Sequence, residues 1–122
     1  DPASARRQAL EFLEHVVREK PGRYTQWCKS GGHWAGNKEA SLDLLKSIEL
    51  LWSDFLASKL SKPLRNQDIE MELQSHPMMQ QSVEFFFQSF ELFQLTRRKI
   101  LGNSNLNMAM ISLGLQVKER LN

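Results

Sequence analysis

Apolar residues recur every three or four positions along four long stretches of the chain, which is the spacing of one face of an α-helix. The first stretch follows a capping aspartate and a first-turn proline, Asp1 and Pro2, and ends at the turn 20–22. The second stretch starts at Asn37, a capping residue, and ends before residues 62–63. These limits predict two helices separated by a loop rich in glycine and tryptophan.

The other two long stretches lie in the second half of the chain. Residues 75–77 supply a cap and a first-turn proline, so we predict one long helix from there to Leu101. A last helix is predicted from Asn105, and Gly114 in its middle costs about 1 kcal/mol relative to alanine. A glycine retained at that cost predicts close approach of a neighbouring helix. Residues 65–75 alternate partly like a strand, but no partner strand is present, and we predict a short helix.

The pattern therefore predicts an all-α fold: a single-domain helical bundle over residues 1–122, with four long helices, one short helix and a Gly/Trp-rich loop after the first helix. A length of 122 residues suits one hydrophobic core. The start at Asp1, without a methionine, suggests a processed product or an excerpt from a longer protein. We find no motif specific enough to assign the chain to a family.

No apolar run approaches the roughly 18 to 20 residues that cross a bilayer, and the first residues lack the layout of a signal peptide. Cys28 has no second cysteine with which to form an internal disulfide, which favours a reducing compartment. We therefore expect a cytoplasmic protein with no membrane association.

Charge is distributed unevenly along the chain. Residues 1–38 carry seven Lys/Arg and four Asp/Glu, residues 39–92 carry four and nine, and residues 93–122 carry five and one, giving +3, −5 and +4. The net charge of +2 is too small to make the whole surface a nucleic-acid site. An acidic middle between basic ends suits a protein partner of mixed charge or head-to-tail self-association.

The segment WCKSGGHWAGNK, residues 27–38, is the most unusual part of the sequence. Gly31 and Gly36 have the spacing of a phosphate-binding loop, but Asn37 separates the second glycine from Lys38 and no strand precedes the segment. Such a loop works at the junction of a strand and a helix. We therefore exclude nucleotide binding of that kind.

The same segment gives little evidence for a metal site or a catalytic site. Cys28 and His33 provide two ligands, whereas a structural zinc site needs four. A catalytic thiol would need a base and an oxyanion site, and no signature of either surrounds Cys28. We expect no metal, no cofactor and no enzymatic activity.

Cations alternate with flat rings from Arg23 onward, and a second basic cluster follows at residues 97–99. This composition is typical of an aromatic-anchored protein interface, or of base stacking with charge neutralisation. A structural alternative is that Trp27 and Trp34 cover one end of the bundle. The candidate binding residues for a partner or polyanion are Arg23, Tyr24, Trp27, Lys29, His33, Trp34, Lys38, Arg97, Arg98 and Lys99.

Two details predict specific tertiary contacts. Glu49 falls on the apolar side of one predicted long helix, and Arg97 falls on the apolar side of the next. We expect a structural ion pair between them rather than a functional acid at Glu49. The triplet 85–87 cannot point in one direction on a helix, so at least one phenylalanine faces a second layer or a partner. Between a core position and an exposed groove for these rings, we expect the core.

We therefore expect a non-catalytic helical interaction or regulatory module, such as an adaptor or accessory subunit. The alternative is an accessory nucleic-acid-binding protein that uses loop 23–38 and the 97–99 cluster. Phosphate contacts would then weaken steeply with salt. A helix-turn-helix over residues 93–121 is disfavoured, because the second helix is too apolar to contact base edges.

Overall fold

The computed structural model describes residues 2–30, 32, 34–64, 67–102 and 105–122. These residues form an all-α fold, as predicted. The helices are α1 (Pro2–Arg18), α2 (Pro21–Ser30), α3 (Lys38–Lys59), α4 (Glu70–Ser75), α5 (Val83–Leu101) and α6 (Leu106–Arg120). Two 3₁₀ helices, Gln67–Ile69 and Pro77–Gln80, flank α4. Within the described ranges, no helix combines the length and apolar character needed to span a membrane.

Four of the helices enclose the core. Each of α1, α3, α5 and α6 packs on two neighbours, in the cyclic order α1, α3, α5, α6. The largest fully buried side chains include Phe12, Trp52, Phe86 and Phe93. Helix α2 lies outside this ring, mainly against α6, while α4 packs on α3 and on the two 3₁₀ helices.

Capping residues set the start of two long helices at the predicted positions, and the capping role itself was predicted for Asn37. The Asn37 side chain accepts a hydrogen bond from the Ala40 amide at 2.9 Å at the start of α3. The Asn105 side chain accepts from the Met108 amide at 3.2 Å at the start of α6. Each bond satisfies one of the amides that a helix start leaves without a partner. Asp1, the predicted cap of α1, lies outside the described residues.

Helix α2 occupies the place where a loop was predicted, and that prediction was wrong. Pro21 ends α1 but is also the first residue of α2, a position where a proline costs no hydrogen bond. The new helix begins directly, because the Tyr24 amide donates a hydrogen bond to the Lys20 carbonyl at 2.9 Å. Tyr24 and Cys28, four residues apart, form the buried face of α2. Within the described ranges, the loop between α2 and α3 consists of residue 32 and residues 34–37.

The single helix predicted from Pro77 to Leu101 is also wrong, because it is interrupted. Residues 77–80 form a 3₁₀ helix, and α5 begins only at Val83. Ser82 caps α5 by accepting from the Phe85 amide at 3.1 Å, and His76 caps the 3₁₀ helix. The apolar periodicity predicted one continuous helix, but the two successive caps divide the segment into a 3₁₀ helix and α5. The short helix expected at 65–75 is present from residue 67, and residues 65–66 lie outside the described ranges.

The predicted close approach of a helix at Gly114 is confirmed. A side chain on Gly114 would overlap the Tyr24 ring, so α2 is the neighbour that approaches α6 at this glycine. In the phenylalanine triplet, Phe85 and Phe86 are buried and Phe87 is 58% exposed. Phe87 is therefore the ring of the triplet that faces away from the core, and the expectation of a core position was wrong for it.

Candidate functional site

The predicted ion pair between Glu49 and Arg97 is confirmed. Arg97 Nη1 lies 3.3 Å from Glu49 Oε2, and Nη2 contacts Oε1, so the guanidinium meets the carboxylate in the bidentate arrangement. The two side chains are only 33% and 27% exposed. The charge of Arg97 is therefore paired with Glu49 inside the bundle, while Arg98 and Lys99 remain exposed at the end of α5.

Two predicted binding residues, Tyr24 and Trp34, belong to the core. Tyr24 is fully buried and its hydroxyl donates to the Met110 carbonyl at 2.7 Å. Trp34 is 4% exposed, and its carbonyl accepts from the Ser41 hydroxyl at 3.0 Å. Neither ring can stack on a ligand without leaving the core. For Trp34, the structural alternative of a ring covering the bundle describes what is observed.

Arg23 and Trp27 lie in an open groove of about 790 Å³ between the end of α1 and the start of α2, here named the α1–α2 groove. Its volume lies within the usual range of ligand sites. Five residues that were not predicted complete its lining: His15, Glu19, Lys20, Gly22 and Gln26. They escaped prediction because a loop was expected where α2 forms, which left nothing to pair with the end of α1.

Trp27 forms a wall of the α1–α2 groove and is only partly buried. The His15 ring stacks on it with a centroid separation of 4.0 Å and an interplanar angle of 18°. Behind it, Phe12 and Trp34 approach with centroids 5.9 and 6.0 Å away. Core rings therefore support the indole from behind where Trp27 lines the groove.

Charged groups surround the His15 side of the groove. Glu11 Oε1 lies 3.9 Å from His15 Nε2, and Glu19 Oε1 lies 3.8 Å from His15 Nδ1. The Lys118 ammonium, from α6, donates to the Val16 carbonyl at 2.8 Å and also bonds the Glu19 carbonyl. These bonds satisfy carbonyls that the end of α1 would otherwise leave unpaired. The α1 side of the groove is thus pinned to α6.

The remaining predicted residues do not converge on the groove. Lys29 is exposed late in α2, Lys38 is half-buried at the first position of α3, and His33 lies outside the described residues. The Gly36 amide donates to Asn107 Oδ1 at 2.8 Å, which places the loop before Lys38 beside the start of α6. The groove lies nearer the other end of that helix, whose 15 residues span about 22 Å. The predicted site is therefore divided between two regions.

Two observations concern the chemistry of the described residues. Burial raises the pKa of the Cys28 thiol to about 11, so the thiolate is scarce at neutral pH. Across the described ranges, no group of three His, Cys, Asp or Glu side chains could hold a metal ion. The α1–α2 groove presents an aromatic wall, two cations, an amide and the Glu19 carboxylate beside His15.

No family model, curated protein or solved structure matches the chain. A functional proposal therefore depends on the residues of this chain alone.

Proposed function

We propose that the protein is a non-catalytic interaction module that holds a segment of a partner protein in the α1–α2 groove. The observation that carries the proposal is the position of Trp27. Trp34 and Trp52 are 4% and 0% exposed, whereas Trp27 is only partly buried and lines the groove. Tryptophan and arginine dominate the binding energy of protein interfaces, and here Trp27 stands beside Arg23.

The support of Trp27 favours recognition by a preformed surface. Its ring is held by Phe12 and Trp34 from the core and by His15 at the surface. A partner therefore does not have to order this side chain on binding, a cost that reaches about 0.5 to 1.5 kcal/mol for a free one.

The rim of the groove favours an acidic partner segment with an apolar anchor. Lys20, Arg23 and Gln26 are exposed, and all three can donate hydrogen bonds to carboxylates. The amides at the start of α2 add partial positive charge on the same side. An apolar side chain against Trp27, flanked by carboxylates, satisfies both features of the groove.

The test is a selection of displayed random peptides on the purified protein, followed by titration of the selected peptides, each carrying a fluorescent dye whose anisotropy reports binding to every variant. We expect acidic peptides with one apolar anchor, and a change in the emission of Trp27. Arg23→Glu and Trp27→Phe should each weaken binding about tenfold or more, a change of about 1.4 kcal/mol or more. Arg98→Glu is the matched control, because it reverses an exposed cation outside the groove. Selected peptides that bind both groove variants as well as the wild type would refute the proposal.

The nucleic-acid alternative predicts a different outcome with the same protein. A short single-stranded oligonucleotide would bind at low salt and be released as salt rises. Binding would then be lost in the double variant Arg98→Glu/Lys99→Glu, whose positions are exposed at the end of α5. Oligonucleotide binding of that kind, without peptide binding, would replace the present proposal.

A further inference from the structure

Helix α4 carries an exposed apolar side chain that the fold does not use. Met71 is 86% exposed, while Leu73, two residues later, is fully buried. Successive helical residues turn by about 100°, so Met71 points almost directly away from the core. Glu70 and Glu72 are exposed and lie on either side of it. We name these three residues, 70–72, the α4 knob.

The α4 knob and the α1–α2 groove are complementary in chemistry. Methionine sulfur makes favourable contacts with aromatic rings, and Trp27 offers such a ring. The two knob carboxylates match Lys20 and Arg23 at the groove. Glu19 also lines the groove, but its carboxylate is directed to His15, 3.8 Å away.

We propose that the α4 knob of one molecule docks into the α1–α2 groove of a second copy, so that the protein recognises itself head to tail. The inference rests on the proposed function, since it names the partner segment that the groove takes. A groove of about 790 Å³ has room for a methionine side chain and its flanking carboxylates.

The contact forms between molecules because knob and groove belong to different faces of one molecule. Helix α4 packs on α3 and the two 3₁₀ helices, whereas α2 packs on α6. Each molecule then offers its knob to one neighbour and its groove to another. Such a heterologous contact produces open chains or rings rather than a two-fold dimer.

The size and charge of the contact determine how the association behaves. It involves one short helix and one groove, so it is small and weak, and it strengthens with protein concentration. Two pairs of exposed opposite charges make it sensitive to salt. Association that rises with concentration and falls with salt is the expected signature.

The experiment is sedimentation velocity over a wide concentration range, at low and at moderate salt, with two charge reversals. Glu70→Lys/Glu72→Lys reverses the knob, and Lys20→Glu/Arg23→Glu reverses the groove. All four positions are exposed, so the fold should survive, which circular dichroism checks. We expect each variant to be monomeric where the wild type associates. An equimolar mixture of the two should associate again, since reversed knobs match reversed grooves.

Two further variants separate apolar from charged contributions. Met71→Ser leaves every charge in place and should raise the dissociation constant about tenfold. Arg98→Glu/Lys99→Glu makes the same charge change as the groove reversal on another surface and should associate like the wild type. A mixture of the two reversed variants that stays monomeric would contradict the head-to-tail contact.

The outcome is distinguishable from failure of the proposed function. A wild type that stays monomeric at every concentration overturns self-recognition. Peptides selected on the same protein would still bind the groove if its proposed function is correct. Failure of both experiments would remove both proposals.

Discussion

The Tyr24 ring of α2 occupies the space that a side chain on Gly114 of α6 would need. A Cβ at Gly114 would overlap the hydroxyl and the ring of Tyr24. Tyr24 is fully buried, and its hydroxyl donates a hydrogen bond to the carbonyl of Met110, which also belongs to α6. This contact seats α2 on α6 and thereby positions the α1–α2 groove.

Gly114→Ala should therefore destabilise the protein, although alanine favours helices. Either the Tyr24 ring or the α6 backbone must move, and overpacking of this kind costs about 1 to 3 kcal/mol. Urea unfolding measures the loss. Gly22→Ala is the matched control, because a Cβ there meets no atom within 4 Å, and it should leave stability unchanged or raise it. Equal effects of the two substitutions would contradict the close contact between Tyr24 and Gly114.

The Glu49 and Arg97 pair should show measurable coupling in a double-mutant cycle. Both side chains are about two-thirds buried and the contact is bidentate, so we expect a coupling free energy of about 1 kcal/mol after allowance for solvent screening. The exposed Glu14 and Arg18 pair, 3.2 Å apart, is the control and should give less than about 0.5 kcal/mol. Cycles with alanine at each position, measured by urea unfolding, make the comparison. The absence of coupling between Glu49 and Arg97 would show that their contact does not stabilise the folded protein.

His76 should make stability depend on pH. Its Nε2 lies 3.1 Å from the Leu10 carbonyl and its Nδ1 accepts from the Met78 amide at 3.0 Å, so both nitrogens are used by the neutral ring. Burial lowers its pKa below the ordinary 6.5, against a raising effect of the Leu10 carbonyl and of Glu14 and an additional lowering by Arg18. As the pH falls, His76 is therefore protonated at a higher pH in the unfolded chain than in the folded protein.

The contribution of His76 is therefore present above about pH 6.5 and is lost as pH falls below that value. Unfolding by urea from about pH 8 to about pH 5 measures it. His76→Asn keeps an acceptor for the Met78 amide but does not titrate, so the difference between wild type and variant isolates the histidine. A difference that does not change with pH would refute the assignment.

Cys28 should react very slowly with thiol reagents in the folded protein. The side chain is fully buried, and burial raises its pKa to about 11. We expect modification at pH 8 to be about a hundredfold slower than that of an exposed thiol. The control is Cys28→Ser/Ser30→Cys, which moves the thiol to an exposed position of the same helix. Urea should make the two proteins react alike, and fast modification of folded Cys28 would contradict its burial.

Most of the features that could be predicted are encoded over short distances in the chain. The caps at Asn37 and Asn105 act through a side chain and an amide three residues away, so neighbouring residues decide them. The Glu49 and Arg97 pair was also predictable, because each charge interrupts the apolar face of a core helix and needs a partner there. Pro21 misled the prediction, since a proline both ends one helix and starts the next.

The sequence by itself determined an all-α fold, most helix limits and the need for close packing at Gly114. Only the tertiary structure decided which aromatic rings reach solvent. Trp27 and Trp34 are alike as residues, yet one lines a groove and the other is buried in the core. The reason is physical: helix limits depend on hydrogen bonds within one or two turns. The groove depends on how α2 packs on α6 after the turn that follows α1, which brings Trp27 against His15, twelve positions earlier in the chain.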